Sequence, residues 1–155
     1  MKIGNIWKHY FGTTKHKFWV SWYLFKFSMS LFKRALLHDL SKYRCSEASG
    51  FIKVIDKLGN STYGSDEYRE SLRSIKPSIK KHYQRNSHHP EYHTVGTYTL
   101  GINGMNLKDI IEMWCDWQAA VRRHKDGKLE SSIENNKKRF EMSEQLTQIF
   151  YNELH

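Results

Sequence analysis

Apolar residues recur at helical spacing over most of the chain, and no run alternates apolar and polar positions over a strand's length. His16, Trp19, Val20, Tyr23 and Phe27 predict a first helix over 14–29, with Thr13 or Thr14 as its cap. A second helix is expected over 31–40. A third is expected over 46–58, capped by Ser46 and turning Phe51, Ile52 and Ile55 inward. Gly59 to Gly64 reads as a loop. A long helix over 66–87 should follow, kinked or split near Lys76 because Pro77 lacks an N–H. Pro90 disfavours helix at His89, and 94–104 is glycine-bearing and irregular. Leu107, Ile110, Ile111, Trp114, Trp117 and Val121 form the clearest 3.6-residue stripe, predicting a helix from after Asn106 to about His124. Helices over 129–140 and 143–152 complete an all-α reading. The expectation is one compact domain, residues 1–155, built as a bundle of about six to seven helices with short connections.

Composition narrows the class. With 39% apolar and 14% aromatic residues, the chain can bury a core. Cys45 and Cys115 form neither a metal-type CxxC nor a disulfide framework, which fits a reducing cytoplasmic compartment. The aromatic stretch Phe18–Phe32 contains Lys26 and is shorter than the roughly 20 apolar residues of a membrane span. No small-residue cleavage site follows it. A buried amphipathic helix is the reading, with no membrane partner. The net charge of +9 favours anions. The basic residues fall in short clusters, Lys80-Lys81, Arg122-Arg123 and Lys137-Lys138-Arg139, which also suits a plain solvated surface.

Nine histidines change the picture through their placement. Four lie between His82 and His93, and His38 adjoins Asp39 at the end of an apolar run. Polar or charged groups there need partners, and a cation supplies one. Asp116 sits inside the most apolar helix and needs pairing for the same reason, while His16 lies in an otherwise aromatic helix. Imidazole with carboxylate suits Mn, Fe, Co or Zn, with Mg also possible. Two such ions about 3.5–4 Å apart can hold a phosphate for in-line attack by a bridging hydroxide. His82 and His89 are about 10 Å apart along an unbroken helix. Either the chain unwinds before Pro90, or one of His88 and His89 contacts substrate.

The order His16, His38-Asp39, Asp116 resembles the H…HD…D signature of the HD superfamily of all-helical, metal-dependent phosphohydrolases. His38-Asp39-Leu40-Ser41-Lys42 and His88-His89 are similar to motifs of its cyclic-dinucleotide phosphodiesterase branch, HD-GYP. The branch's Gly-Tyr-Pro signature is absent, and the position of its upstream glutamate falls near Gly12, so that substrate is not carried over. The chain from about His16 to Phe150 also resembles a family of small uncharacterised bacterial and phage proteins with HDLSK, HxxxNxHHPEY and EMxCDW motifs. These resemblances imply His16, His38, Asp39, His82, His88, His89 and Asp116 as metal ligands for two divalent ions, with Lys42 meeting phosphate.

Around that set, Arg85, Asn86 and His93 are candidate substrate contacts, Arg85 also as a neutraliser of developing charge with Lys42 and Asp39 in the catalytic set. Arg122 and Arg123 either reach a phosphate or cap their helix. Glu47 is either a first-turn carboxylate favoured by the helix dipole or part of the site. Tyr83, Trp114 and Trp117 either stack on a base or pack the core. The function expected is hydrolysis of a nucleotide-derived phosphoester by a metal-activated hydroxide. The competing expectation is an inactive HD-fold protein that binds a nucleotide or nucleic acid.

Overall fold

The computed structural model describes residues 3–62, 64–124 and 127–154. It is all-α apart from one small hairpin. The chain divides into two compact units, residues 1–37 and 38–155.

The first unit is a single helix, α1 (Ile3–Leu37). The expected break between residues 29 and 31 does not occur. Ser28-Met29-Ser30 offers neither proline nor glycine, and neighbouring rings support the helix: Trp22 stacks on Phe25 (6.2 Å) and Trp19 lies 6.2 Å from Tyr23. The helix also begins well before Thr13, so neither threonine caps it. None of its described residues is buried. No helix among the described residues is long and apolar enough to cross a membrane.

The second unit opens with a 3-10 turn, Leu40–Tyr43, and continues through α2 (Cys45–Asn60), α3 (Asp66–Ser74) and α4 (Lys76–Tyr83). α2 starts one residue before Ser46, and no side chain caps it. Its inward face is Glu47, Gly50 and Val54; Ile52 and Ile55, expected inside, are exposed. Phe51 is half-buried. The shift follows from Gly50, which lets α2 approach α4 so closely that a Cβ there would lie 2.6 Å from the Ser78 Cβ. The expected long helix is split at Ile75, because Pro77 occupies the first turn of α4, where its missing N–H costs nothing.

The chain leaves helix after Tyr83 and crosses a turn to a 3-10 segment, Pro90–Tyr92. β1 (Thr94–Val95) and β2 (Tyr98–Thr99) form the antiparallel hairpin, in register Thr94 to Thr99 and Val95 to Tyr98. α5 (Leu107–Val121) begins at a capping box: Asn106 accepts from the Lys108 and Asp109 amides, and Asp109 accepts from the Asn106 amide. α6 (Leu129–Phe140) and α7 (Glu144–Asn152) pack with α5 around Met113, Trp114, Trp117, Ile133, Met142 and Phe150. Trp114 stacks on Phe150 at 5.0 Å. Both tryptophans are buried in this core, although Trp117 also borders a cleft described below.

Candidate metal centre

Four places in the second unit supply the site: the turn after Leu37, the end of α4, the turn before Pro90, and one face of α5. Asp39 stands in the left-handed region (φ 55°, ψ 16°), uncommon for a residue with a Cβ. Its carbonyl accepts from the Lys42 amide (2.8 Å), which fixes the turn. The unwinding after Tyr83 brings His88 and His89 back to His82, as one of the two alternatives required. Rings of His82 and His89 lie 4.8 Å apart, and those of His88 and His89 4.2 Å. Ser87 locks the turn to α5 by donating to the buried carboxylate of Asp109 (2.7 Å).

The imidazoles are held from behind. His38 Nδ1 donates to Glu112 Oε1 at 2.8 Å, and His88 Nδ1 faces the same oxygen at 3.1 Å. His82 Nδ1 lies 3.1 Å from Oε2 of Glu47, a fully buried carboxylate. Assigning each proton to the nitrogen that faces a carboxylate leaves the Nε2 lone pairs of His38, His82 and His88 pointing the other way. There they meet more acceptors. His82 Nε2 is 2.9 Å from His89 Nε2 and 3.3 Å from Asp39 Oδ1; His88 Nε2 is 3.5 Å from the same oxygen. His38 Nε2 is 3.5 Å from Asp39 Oδ2 and 3.6 Å from Asp116 Oδ1. Asp39 Oδ1 and His88 Nε2 are buried without a hydrogen-bond partner.

Asp39 Oδ1 and His88 Nε2, two buried acceptors 3.5 Å apart with no donor between them, would repel, and a cation resolves the conflict. The separations across the site also suit one. Ligands about 2.1 Å from a metal are spaced about 3.0 Å apart in an octahedron and about 3.4 Å in a tetrahedron. Three overlapping groups can each hold an ion: Asp39, His82, His88 and His89; His38, Asp39 and Asp116; and His38, His88 and Glu112. Because His38 and His88 already turn their Nδ1 atoms to Glu112, the first two groups fit best, with Glu112 orienting them from behind. Asp39 offers one oxygen to each.

Protonation follows the same geometry. Hydrogen bonds that His38 donates to Asp116 and Glu112, with Asp39 nearby, hold its pKa up to about 10 when no cation is bound. Burial alone would raise Asp116, but its hydrogen bond to His38, with His89, His88 and Lys42 close, brings it down to about 2. Burial, reinforced by His88 and His82, pushes His89 well below the usual imidazole range, and burial lowers His82. Neutral imidazoles are the ligating form. Burial likewise works against ionised Glu47, yet hydrogen bonds from Ser41, Arg85 and His82 lower its pKa.

Other expected site residues take different places. His16 lies on the exposed surface of α1 and belongs to none of the three groups. Arg85 does not face the cleft: its guanidinium pairs with Glu47 and donates to Ser46 Oγ (3.1 Å). Asn86 donates to Ser41 Oγ (2.8 Å) and to the His82 carbonyl (2.7 Å), so both residues brace the Glu47–His82 pair. His93 is tied to the Ser87 carbonyl (2.8 Å). Arg122 is the exposed C-cap of α5, whereas Arg123 lines the cleft.

That cleft has a volume of about 150 Å³. His82, His89 and Asp116 border it beside Lys42, Arg123 and Arg139. Lys42 Nζ pairs with Asp39 Oδ2 at 2.5 Å and lies over the Phe51 ring. The orienting role of Glu112 went unassigned from sequence, although its spacing of four from Asp116 puts both on one face of α5. Arg139 comes from α6, and no local signal linked it to the histidines.

The fold and the site define an all-α protein with a histidine–carboxylate cluster able to hold a cation beside a basic cleft. The chain belongs to a family of unknown function (DUF5662), whose model matches residues 5–155. No curated protein and no solved structure matches it.

Proposed function

We propose that this protein is a metal-dependent phosphohydrolase of the HD type that cleaves a nucleotide-derived phosphoester. One observation carries the reading: imidazoles and carboxylates converge around the unpartnered Asp39 Oδ1 and His88 Nε2, backed by Glu47 and Glu112, at the wall of a cleft that also holds Lys42 and Arg123. His82, His88, His89 and Asp39 would hold one divalent ion; His38, Asp39 and Asp116 would hold a second. A bound ion of this type supplies Lewis acidity and a hydroxide nucleophile near neutral pH.

The chain's own groups do the rest. Glu47 and Glu112 keep the ring protons on Nδ1 and so the Nε2 lone pairs on the site side. Lys42 and Arg123 attract the phosphoryl group and balance charge that develops on its oxygens. Phe51, Met113 and Trp117 make part of the cleft wall apolar, which strengthens those interactions.

Metal analysis of a chelator-free preparation, followed by a Mn-, Co- or Zn-supplemented screen of nucleoside mono- and triphosphates, cyclic nucleotides and sugar phosphates, tests the reading. Phosphate-ester hydrolysis that Asp39→Ala abolishes together with metal binding is expected. Failure to take up any of these metals refutes the site. Hydrolysis confined to sugar phosphates refutes the substrate class.

A further inference from the structure

Beside the metal cleft runs a second, larger groove of about 780 Å³, between α3–α4 and α6. The two are continuous: Tyr68, Tyr83 and Arg139 line both. Arg69, Arg73, Lys76, Lys138 and Arg139 line the larger groove, and no acidic side chain is among its described lining residues. Arg73, Lys76 and Lys138 are exposed and form no ion pair with any described residue. Arg69 reaches only Asp66, which is fully exposed (3.6 Å). Arg139 is engaged with Glu91 and the Tyr83 hydroxyl.

This is charge segregation and not an evenly mixed surface. α3 turns Arg69 and Arg73, four apart, to the groove, while its Glu67 and Glu70 line a different cleft with Asp56. Size points the same way. Pockets that enclose a whole small organic ligand run to roughly 300–1,000 Å³. At about 150 Å³ the metal cleft suits a phosphoryl group, and the remainder of a larger substrate must lie outside it. The only direction that offers continuous cationic lining among these described clefts is the groove.

We propose that the groove binds a single-stranded oligonucleotide, with its phosphates along Arg73, Lys76 and Lys138 and bases against Tyr68 and Tyr83, so that a strand end is presented to the metal cleft. Cations on three helices, Arg73 on α3, Lys76 on α4 and Lys138 on α6, offer contacts to successive phosphates of a chain. Aromatic faces tolerate any base, and the narrow cleft leaves no room for a second strand. The inference rests on the phosphohydrolase reading for its orientation, but the groove's binding can be measured without it.

The experiment uses the full chain in EDTA, with fluorescein-labelled single-stranded DNA and RNA of about 12 nucleotides followed by anisotropy. Saturable binding is expected, with log K falling by about 0.7 per contacted phosphate for each tenfold rise in salt. Arg73→Glu combined with Lys138→Glu should weaken binding by at least about tenfold and flatten the salt slope by about 1.4. Circular dichroism and Mn(II) uptake should match the unaltered protein, since both side chains are exposed and neither is a ligand. Absence of saturable binding at 50 mM salt, or binding that the double variant leaves intact, overturns the proposal. So does competition by ATP, inorganic polyphosphate or duplex DNA at equal phosphate concentration as effective as that by the single strand. Oligonucleotide binding by a protein that takes up no metal would defeat the phosphohydrolase reading and leave the groove standing.

Discussion

Replacing Glu112 by glutamine should weaken metal binding about 10–100-fold while leaving every proposed ligand in place. The carboxylate oxygen Oε1 receives His38 Nδ1 at 2.8 Å and His88 Nδ1 at 3.1 Å. A glutamine carbonyl in that position can still accept from both rings, but it is neutral, so two charge-assisted hydrogen bonds become ordinary ones. Hydrogen bonds to charged groups contribute about 1.5–3 kcal/mol and neutral ones about 0.5–1.5, so the loss over the pair is about 2–3 kcal/mol. Both rings are then held less firmly with their lone pairs toward the site. At about 1.4 kcal/mol per tenfold change, the cost matches the stated loss of affinity. Competition for Mn(II) or Co(II) against a fluorescent chelator reads the constant directly. Thermal unfolding with and without metal provides a second readout, because stabilisation by a ligand scales with the logarithm of its concentration over Kd. The metal-dependent rise in Tm should shrink by a few degrees. An affinity within about twofold of the unaltered protein would show that Glu112 does not orient these rings, and the assignment of their protons would fall with it.

Proton linkage gives a second prediction. His38, with its pKa raised to about 10, favours the metal-free fold fully below about pH 6.5 and loses that contribution as pH rises through 10. Asp116, lowered to about 2, contributes above about pH 4 and loses its effect as pH falls through 2. In EDTA the Tm should therefore fall from pH 6.5 to 10, and metal uptake at pH 7.5 should release about one proton from His38, measurable by calorimetry in buffers of different ionisation enthalpy. Lys42→Ala should retain the metal and lose turnover, since its ammonium cannot ligate a cation and lines the cleft where an anionic substrate would sit; unchanged steady-state rates on every active substrate would refute that role. Gly50→Ala should destabilise the protein by about 1–3 kcal/mol in urea titrations, because the added Cβ would meet Ser78 Oγ at 2.2 Å. Ile133→Ala, which empties a fully buried position among α5, α6 and α7, should cost about 2–5 kcal/mol by the same assay.

Local pattern determined the all-α class, the α5 stripe with its start at Asn106, and helices close to the observed α6 and α7. Those features depend on neighbours within a few residues, which the chain itself displays. Pro77 likewise announced a break, and the break falls at Ile75. The sequence also presented His38, Asp39, His82, His88, His89 and Asp116 as possible partners, because polar groups beside apolar runs demand satisfaction wherever they end up. It could not choose the inward face of α2, where Ile52 and Ile55 yield to Glu47, Gly50 and Val54. That choice is made by the close approach of α4, which only Gly50 allows. Nor could it separate Arg123 from Arg122, divert Arg85 to Glu47, or bring Arg139 from α6 to the cleft wall. Side-chain composition states which charges need neighbours. Which neighbours they receive depends on how helices distant in sequence are packed, and that was decided by the tertiary structure alone.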